Sequence, residues 1–399
     1  MGLNSTPSGE RVHIGIFGRR NAGKSSLINA LTNQKIAIVS EVRGTTTDPV
    51  AKSMELLPLG PVTIIDTAGI DDSGELGEER VKASYKVLNK TDIAVIAAEG
   101  KALSAEDIQL IERIKAKEIP YVIAYTKCDE GDFSPTGENE IAVSALNGHN
   151  INELRELIAA SYRDEENKRR IVGDLVKTGD IAVLVVPIDK AAPKGRLILP
   201  QQQTIRDLLD SGAIAVVTRD TELKQTLASL GKKPAVVITD SQAFKQVSAE
   251  TPTDIKLTSF SILMARYKGV LPQAVEGAYA LNKLNDGDKV LISEGCSHHR
   301  QCGDIGTQKL PMWIENFTGK KPCFEFTSGT EFPEELGEYK LIVHCGGCML
   351  NEREMKYRRR LASEQNIPMT NYGILIAYMN GILERSIEII PEMRPAASC

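Results

Sequence analysis

The chain of 399 residues carries a single tryptophan, and aromatic residues make up only 5% of it. Basic charge is not in surplus either: 48 Lys and Arg stand against 53 Asp and Glu, a net charge of −5. Both scarcities argue against a nucleic-acid binder, which needs a basic face for phosphates and rings on which bases stack. Long apolar runs are missing. The longest, Ile181 to Ile188, falls well short of the roughly 18 residues that a membrane span requires and reads as a buried strand, so no membrane role is expected. No charged-then-apolar stretch opens the sequence, and the expected location is therefore cytoplasmic. Seven cysteines are too sparse for a disulfide framework in a chain this long, and an odd count leaves one over.

What is present is ordinary in amount and uneven in placement. Hydrophobic residues at 42% and charged residues at 25% describe a globular protein, not a disordered or fibrous one, and the length implies two or three domains. Strand-like runs at 12–17, 62–65, 93–97, 121–125 and 141–143 alternate with helical patterns such as 76–88 and 104–117, the latter opened by a Ser104/Asp107 capping box. That alternation predicts an α/β fold with a mainly parallel sheet covered on both faces. A charged stretch at 163–170 marks a boundary, after which strands at 181–188, 214–218 and 235–239 alternate with helices at 202–209, 221–230 and 241–247. A third region has strands at 289–292 and 339–343 and helices at 352–365 and 374–387. The expected domains are 1–168, 169–266 and 267–399.

Gly18-Arg19-Arg20-Asn21-Ala22-Gly23-Lys24-Ser25 matches the phosphate-loop pattern G-x-x-x-x-G-K-[ST], with Ser26 continuing into the helix. Glycines let backbone N–H groups turn towards phosphates, Lys24 reaches the β/γ oxygens, and the Ser25 hydroxyl binds Mg²⁺. Asp66-Thr67-Ala68-Gly69 places a carboxylate beside that metal and the Gly69 amide near the γ-phosphate. Thr46, within Gly44-Thr45-Thr46-Thr47-Asp48, is the hydroxyl expected to complete the Mg²⁺ shell. Thr126-Lys127-Cys128-Asp129 ends the fourth strand, where Asp129 can accept from guanine N1–H and N2–H₂. Adenine has neither donor, so the nucleotide is GTP or GDP. Ser144-Ala145-Leu146 can offer a backbone N–H to guanine O6.

Over 12–165 this set resembles the TrmE–Era class of bacterial GTPases. The resemblance implies GTP hydrolysis with Lys24, Thr46 and Gly69 around the γ-phosphate. It also implies a K⁺ held by Asn21, which matches the asparagine of potassium-activated members, the cation standing where an arginine finger would. One position departs from the class, and another differs from many regulatory GTPases. Thr126 replaces the usual asparagine of the base motif, and Ile70 lies where many regulatory GTPases carry a water-orienting glutamine. Hydrolysis by the isolated domain is therefore expected to be slow. Arg19 and Arg20 border the phosphates and read as loop arginines of the cradle, not as fingers.

Six of the seven cysteines and three of the five histidines come after residue 295. Cys296-Ser297-His298 follows one strand and His344-Cys345-Gly346-Gly347-Cys348 another. Carboxyl ends of adjacent parallel strands form the crevice where ligands bind, so these loops can bring three thiolates and the imidazoles of His298 and His344 to one cavity. The C-x-x-C spacing lets two sulfurs from one turn reach a common centre. Three cysteines and a histidine also suit zinc, and a C-x-x-C pair suits redox chemistry; ligand chemistry alone leaves these open beside an iron–sulfur cluster.

The pattern C-x-H-(45 residues)-H-C-x-x-C, downstream of a TrmE-like GTPase and a small middle domain, resembles HydF, the family of [FeFe]-hydrogenase maturation GTPases. That resemblance covers essentially the whole chain. It implies a [4Fe–4S] cluster on Cys296, Cys345 and Cys348, with His344, His298 or an exchangeable group at the fourth iron, and a homodimer formed through the α/β middle domain. It further implies a scaffold that receives a diiron precursor, built by radical-SAM maturases, and delivers it to the apo-hydrogenase. A reading from another class is an RNA-associated GTPase ending in a zinc module, which the acidic charge and the scarcity of aromatics disfavour.

Overall fold

The computed structural model of the chain describes every residue except 1–5, 7, 33–48, 73, 129–132, 134, 163–168, 188–196, 296–303, 330, 348 and 394–399. Five expected site residues, Thr46, Asp129, Cys296, His298 and Cys348, lie outside the described residues. Two compact units divide the chain, one built on 1–165 and the other on 166–350 with 355–399. Among the described residues no helix is long and apolar enough to cross a membrane.

The first unit runs β1 (Val12–Phe17), α1 (Lys24–Thr32), β2 (Val50–Leu56), β3 (Gly60–Asp66), α2 (Glu75–Val87), β4 (Ile93–Glu99), α3 (Ala105–Ala116), β5 (Tyr121–Thr126), β6 (Glu140–Ala142) and α4 (Ile151–Ser161). The sheet order is β2-β3-β1-β4-β5-β6, parallel throughout except for β2, which pairs antiparallel with β3. Strand β2 was not expected, because most of its side chains are exposed and it shows no apolar alternation to read. Near-continuous apolar runs such as Ile93 to Ala98 reflect burial on both sheet faces. One face packs Ile14 and Ile16 against Leu27, Leu154 and Ile158, and the other packs Phe17 and Ile96 against Val87, Leu110 and Ile114. Each such side chain stabilises the fold by roughly 1.5–3 kcal/mol relative to exposure. The capping box forms as read: Ser104 Oγ accepts the Asp107 N–H at 3.2 Å, and the Ser104 N–H donates to Asp107 Oδ2 at 3.0 Å.

The second unit holds β7 (Ile181–Val185), α5 (Leu199–Asp210), β8 (Ile214–Thr218), α6 (Leu223–Ser229), β9 (Val236–Thr239), α7 (Phe244–Glu250), β10 (Lys256–Ser259), α8 (Phe260–Tyr267) and α9 (Leu271–Tyr279). It continues with β11 (Lys289–Glu294), α10 (Leu310–Thr318), β12 (Cys323–Ser328), β13 (Tyr339–His344), α11 (Glu352–Glu364), β14 (Met369–Asn371), α12 (Tyr372–Met379) and α13 (Leu383–Ile387). Two four-stranded parallel sheets result, ordered β10-β9-β7-β8 and β12-β11-β13-β14. Strands β10, β12 and β14 are short or half exposed, and none was legible from apolar patterning. The helix expected over 374–387 is two helices, broken at Gly381, whose φ of 69° no α-helix contains. A single apolar core extends from Val183 and Phe244 through Leu263 to Val290, Val343 and Ile374, so both sheets share one interior.

Candidate functional site

Strand β1 delivers the chain into the phosphate loop, which three positive-φ residues shape: Gly18 (142°), Asn21 (61°) and Gly23 (81°). Backbone of this kind points successive N–H groups inward and makes an anion-binding nest. Only glycine fits at 18, since a Cβ there would lie 2.3 Å from the Ala97 carbonyl oxygen. Asparagine is among the non-glycine residues that best tolerate the left-handed region at 21.

Lys24 opens α1 and is buried, its Nζ donating to the carbonyls of Gly18 at 2.9 Å and Arg19 at 2.7 Å. Burial lowers its pKa, opposed chiefly by the Asp66 carboxylate. Ser25 Oγ donates to Asp66 Oδ2 at 3.2 Å, so two of the groups expected at Mg²⁺ already touch. Burial raises the pKa of Asp66, and Lys24 pulls it back. A hydroxyl and a carboxylate in contact offer the hard oxygen donors that Mg²⁺ prefers. Ser26 is exposed on α1 and Ala22 is buried beneath the loop.

Thr126, Lys127, Ser144 and Ala145 are also expected at the nucleotide. Thr126 Oγ1 lies 2.8 Å from the Ala22 carbonyl and 3.1 Å from that of Ala98. Its single proton serves one of them at a time and ties β5 to the back of the phosphate loop. Lys127 Nζ pairs with Glu99 at 2.5 Å. The Ser144 N–H is engaged by the His149 carbonyl at 3.2 Å, and Ala145 is half-buried beside it. The D-x-x-G segment rests on the loop: the Ile70 N–H donates to the Gly18 carbonyl at 3.3 Å, and the Arg20 N–H donates to Asp71 Oδ1 at 2.6 Å. A Cβ at Gly69 would come within 2.8 Å of the Arg20 nitrogen. The Arg19 side chain is drawn 3.7 Å from Asp107 in α3, whereas Arg20 points to solvent. Asp71 was missed in the sequence, where it is one of two adjacent aspartates with nothing to single it out.

The sulfur loop lies at the carboxyl ends of β11 and β13, which are parallel neighbours with Ser293 opposite His344. The Cys345 N–H donates to the Ser293 carbonyl at 2.9 Å. Cys345 Sγ accepts two backbone N–H groups, from Gly295 at 2.9 Å and Gly347 at 3.3 Å. Amides aimed at one sulfur favour its thiolate. Gly347 takes the left-handed backbone (φ 59°) that favours glycine, and a Cβ there would press on Met355 Sδ at 2.7 Å, which would have to shift. Lys268 Nζ donates to the Gly347 carbonyl at 2.7 Å. A pocket opens beside the loop, lined by His344, Cys345 and Gly346 with Met264, Lys268 and Met355.

His344 is buried; its Nδ1 lies 2.7 Å from the Cys345 carbonyl and its Nε2 lies 3.0 Å from Arg358 Nη1. Burial first, and the Arg358 charge second, push its pKa down to about 3. Arg358 was also missed. It is the first of three consecutive arginines, and only its helical spacing from the buried Met355 and Ala362 marks it as facing inward. Beyond the strand ends, Tyr372 donates to Glu294 Oε1 at 3.3 Å, and burial raises the tyrosine pKa.

Comparison with known proteins separates the two units. Residues 13–127 match the family model described as a 50S ribosome-binding GTPase. Residues 171–269 match the hydrogen maturase F dimerization domain, and 272–389 the hydrogen maturase F tetramerization domain. The last two together span more than half of the chain. Among curated relatives, the tRNA modification GTPase MnmE of Aquifex aeolicus is 34% identical over 155 residues, covering 37% of this chain and 34% of that protein. MnmE of Mycoplasmoides gallisepticum is 34% identical over 168 residues, 41% of this chain and 37% of its own. The chain thus spans about a third of the length of the curated relatives it matches. Among solved structures, an Era variant of Aquifex aeolicus bound to GDP.AlF4− is 17% identical, covers 55% of this chain and 98% of its own, and has a TM-score of 0.34.

Proposed function

The chain belongs to the hydrogen maturase F family, and from that membership we propose a GTP-hydrolysing scaffold that assembles the diiron precursor of the [FeFe]-hydrogenase active site and delivers it to the apo-hydrogenase. In this reading the phosphate loop, 18–25, grips GTP through its inward amides and Lys24, while Ser25, Asp66 and Thr46 hold Mg²⁺. Asp129 selects guanine. Asn21 would hold K⁺, and with Ile70 in place of a water-orienting side chain the intrinsic turnover is slow. Thr126 supports the loop from behind through its contacts with Ala22 and Ala98.

In the second unit Cys296, Cys345 and Cys348 would hold a [4Fe–4S] cluster, with His298, His344 or an exchangeable group at the fourth iron. The donor set fits: soft thiolates, one of them already receiving two backbone N–H groups. Bound there, the cluster supplies an iron with a replaceable position. The observation that carries this reading is the 2.9 Å approach of the Gly295 N–H to Cys345 Sγ. Gly295 is the covalent neighbour of Cys296, so the strand end leading to one cysteine touches the sulfur of another 49 residues further on. The three domains expected at 1–168, 169–266 and 267–399 serve as the nucleotide, dimerisation and cluster parts, with radical-SAM maturases as donors of the diiron cargo in the cytoplasm. Nucleotide state influences the cluster part through alternative arrangements of these parts.

Anaerobic purification with iron and sulfide analysis tests the reading. About four irons and as many sulfides per chain are expected, and a colourless protein holding a single zinc overturns it.

A further inference from the structure

We propose that Arg358 is the positioning residue of the sulfur loop, and that it holds His344 as a tethered ring that does not bind iron. This assignment rests on the cluster reading above and narrows its ligand set to the three cysteines with His298 or an exchangeable group. Arg358 is 0% exposed. Burying a guanidinium is costly unless its N–H groups are answered, so what it grips is informative. Nη1 donates to His344 Nε2 at 3.0 Å and to Ser293 Oγ at 3.3 Å; Nη2 donates to the Gly329 carbonyl at 2.8 Å. The guanidinium also lies 5.0 Å from the centre of the Phe332 ring.

Ser293 and His344 are opposite one another at the last paired positions of β11 and β13. One precedes Cys296 by three residues, and the other adjoins Cys345. Gly329 directly follows β12. One planar cation therefore joins the carboxyl ends of three neighbouring strands at the level where the cysteine loops begin. Arginine has no acceptor, so Nε2 of His344 must accept, and the ring proton sits on Nδ1, which donates to the Cys345 carbonyl at 2.7 Å. Both ring nitrogens are then engaged inside the protein. Turning the ring towards a metal would release the buried guanidinium and the loop carbonyl together. A lysine could not replace this fork, because a point charge on a flexible stem does not span three acceptors.

The test uses the full chain labelled with ¹⁵N-histidine. In the apo protein, NMR is expected to show His344 as the Nδ1–H tautomer; a proton on Nε2 overturns the assignment. In the reconstituted, reduced protein, pulsed EPR of His344→Gln, whose amide oxygen can still accept from Arg358, is expected to match the wild type. A strongly coupled nitrogen that survives His298→Ala and vanishes in His344→Gln overturns it. Should the glutamine variant not fold, Arg358→Lys decides. It should lose iron to a chelator about tenfold faster than the wild type, with an unchanged histidine-nitrogen signal. Loss at the wild-type rate refutes the assignment. A wild-type chain that takes up no iron sinks the cluster reading, while the apo tautomer still decides the grip of Arg358 on His344.

Discussion

The phosphate cradle and the sulfur loop both stand at the carboxyl ends of parallel strands, yet they are built by opposite means. The cradle is eight consecutive residues whose working groups are mostly backbone amides, set by three positive-φ positions between β1 and α1. The sulfur loop draws on segments about fifty residues apart, and Gly295 reaches Cys345 Sγ because β11 and β13 are neighbours. Local sequence can specify the first almost completely. The second needs the whole unit folded, and a buried arginine to hold its strand ends in step. One site should therefore tolerate changes in the rest of the fold, and the other should not.

Substitutions that separate the two sites sharpen the contrast, and the largest effect belongs to Lys24→Ala. Removing the one buried ammonium of the cradle should slow GTP hydrolysis by roughly 100- to 1,000-fold while iron content stays at the wild-type level. A parallel loss of iron would mean that the sites are not built independently. Next, Cys345→Ser should reduce iron from about four per chain to less than about one, leaving GTP hydrolysis in place. Loss of both in an iron assay and a phosphate-release assay would point to unfolding. Exchanging K⁺ for Na⁺ is a milder test of the cradle: turnover should fall if Asn21 holds the cation, and an unchanged rate removes that role. The smallest effect is expected of Thr126→Val, which strips the hydroxyl from behind the phosphate loop and leaves buried carbonyls less well satisfied. A loss of about 1–3 kcal/mol in the stability of the first unit, read from its thermal unfolding, follows. No change would show that Thr126 stands behind the loop without supporting it.

Much of the first unit was legible in advance. Parallel strands buried on both faces read as apolar runs, the capping box at Ser104 is a local pattern, and G-x-x-x-x-G-K-S places its own backbone. The strands that escaped notice, β2, β10, β12 and β14, are exposed or short, and so leave little periodic signal. The break at Gly381 shows the reverse problem: an apolar stretch reads as one helix until a single positive φ turns the chain. At the sulfur loop the cysteine spacing raises the expectation of a soft-ligand site, but says nothing of the neighbours of Cys345. His344 reads as one more donor, because sequence records the residue type and not the contacts its ring makes with Arg358 and the Cys345 carbonyl. Asp71 and Arg358 had no motif at all, one lying in a pair of aspartates and the other in a run of arginines.

By itself, the order of residues determined that a guanine-nucleotide cradle and a cysteine-rich site share this polypeptide, because short patterns prescribe backbone conformation and donor chemistry over a few bonds. Only tertiary structure decided that Ser293 lies opposite His344, that both sheets of the second unit draw on one core, and that the Arg358 guanidinium is fully buried at the strand ends. Those outcomes depend on strand order and helix phase across long sequence separations, where burial and hydrogen-bond satisfaction of the whole unit choose among arrangements that local patterns leave equal.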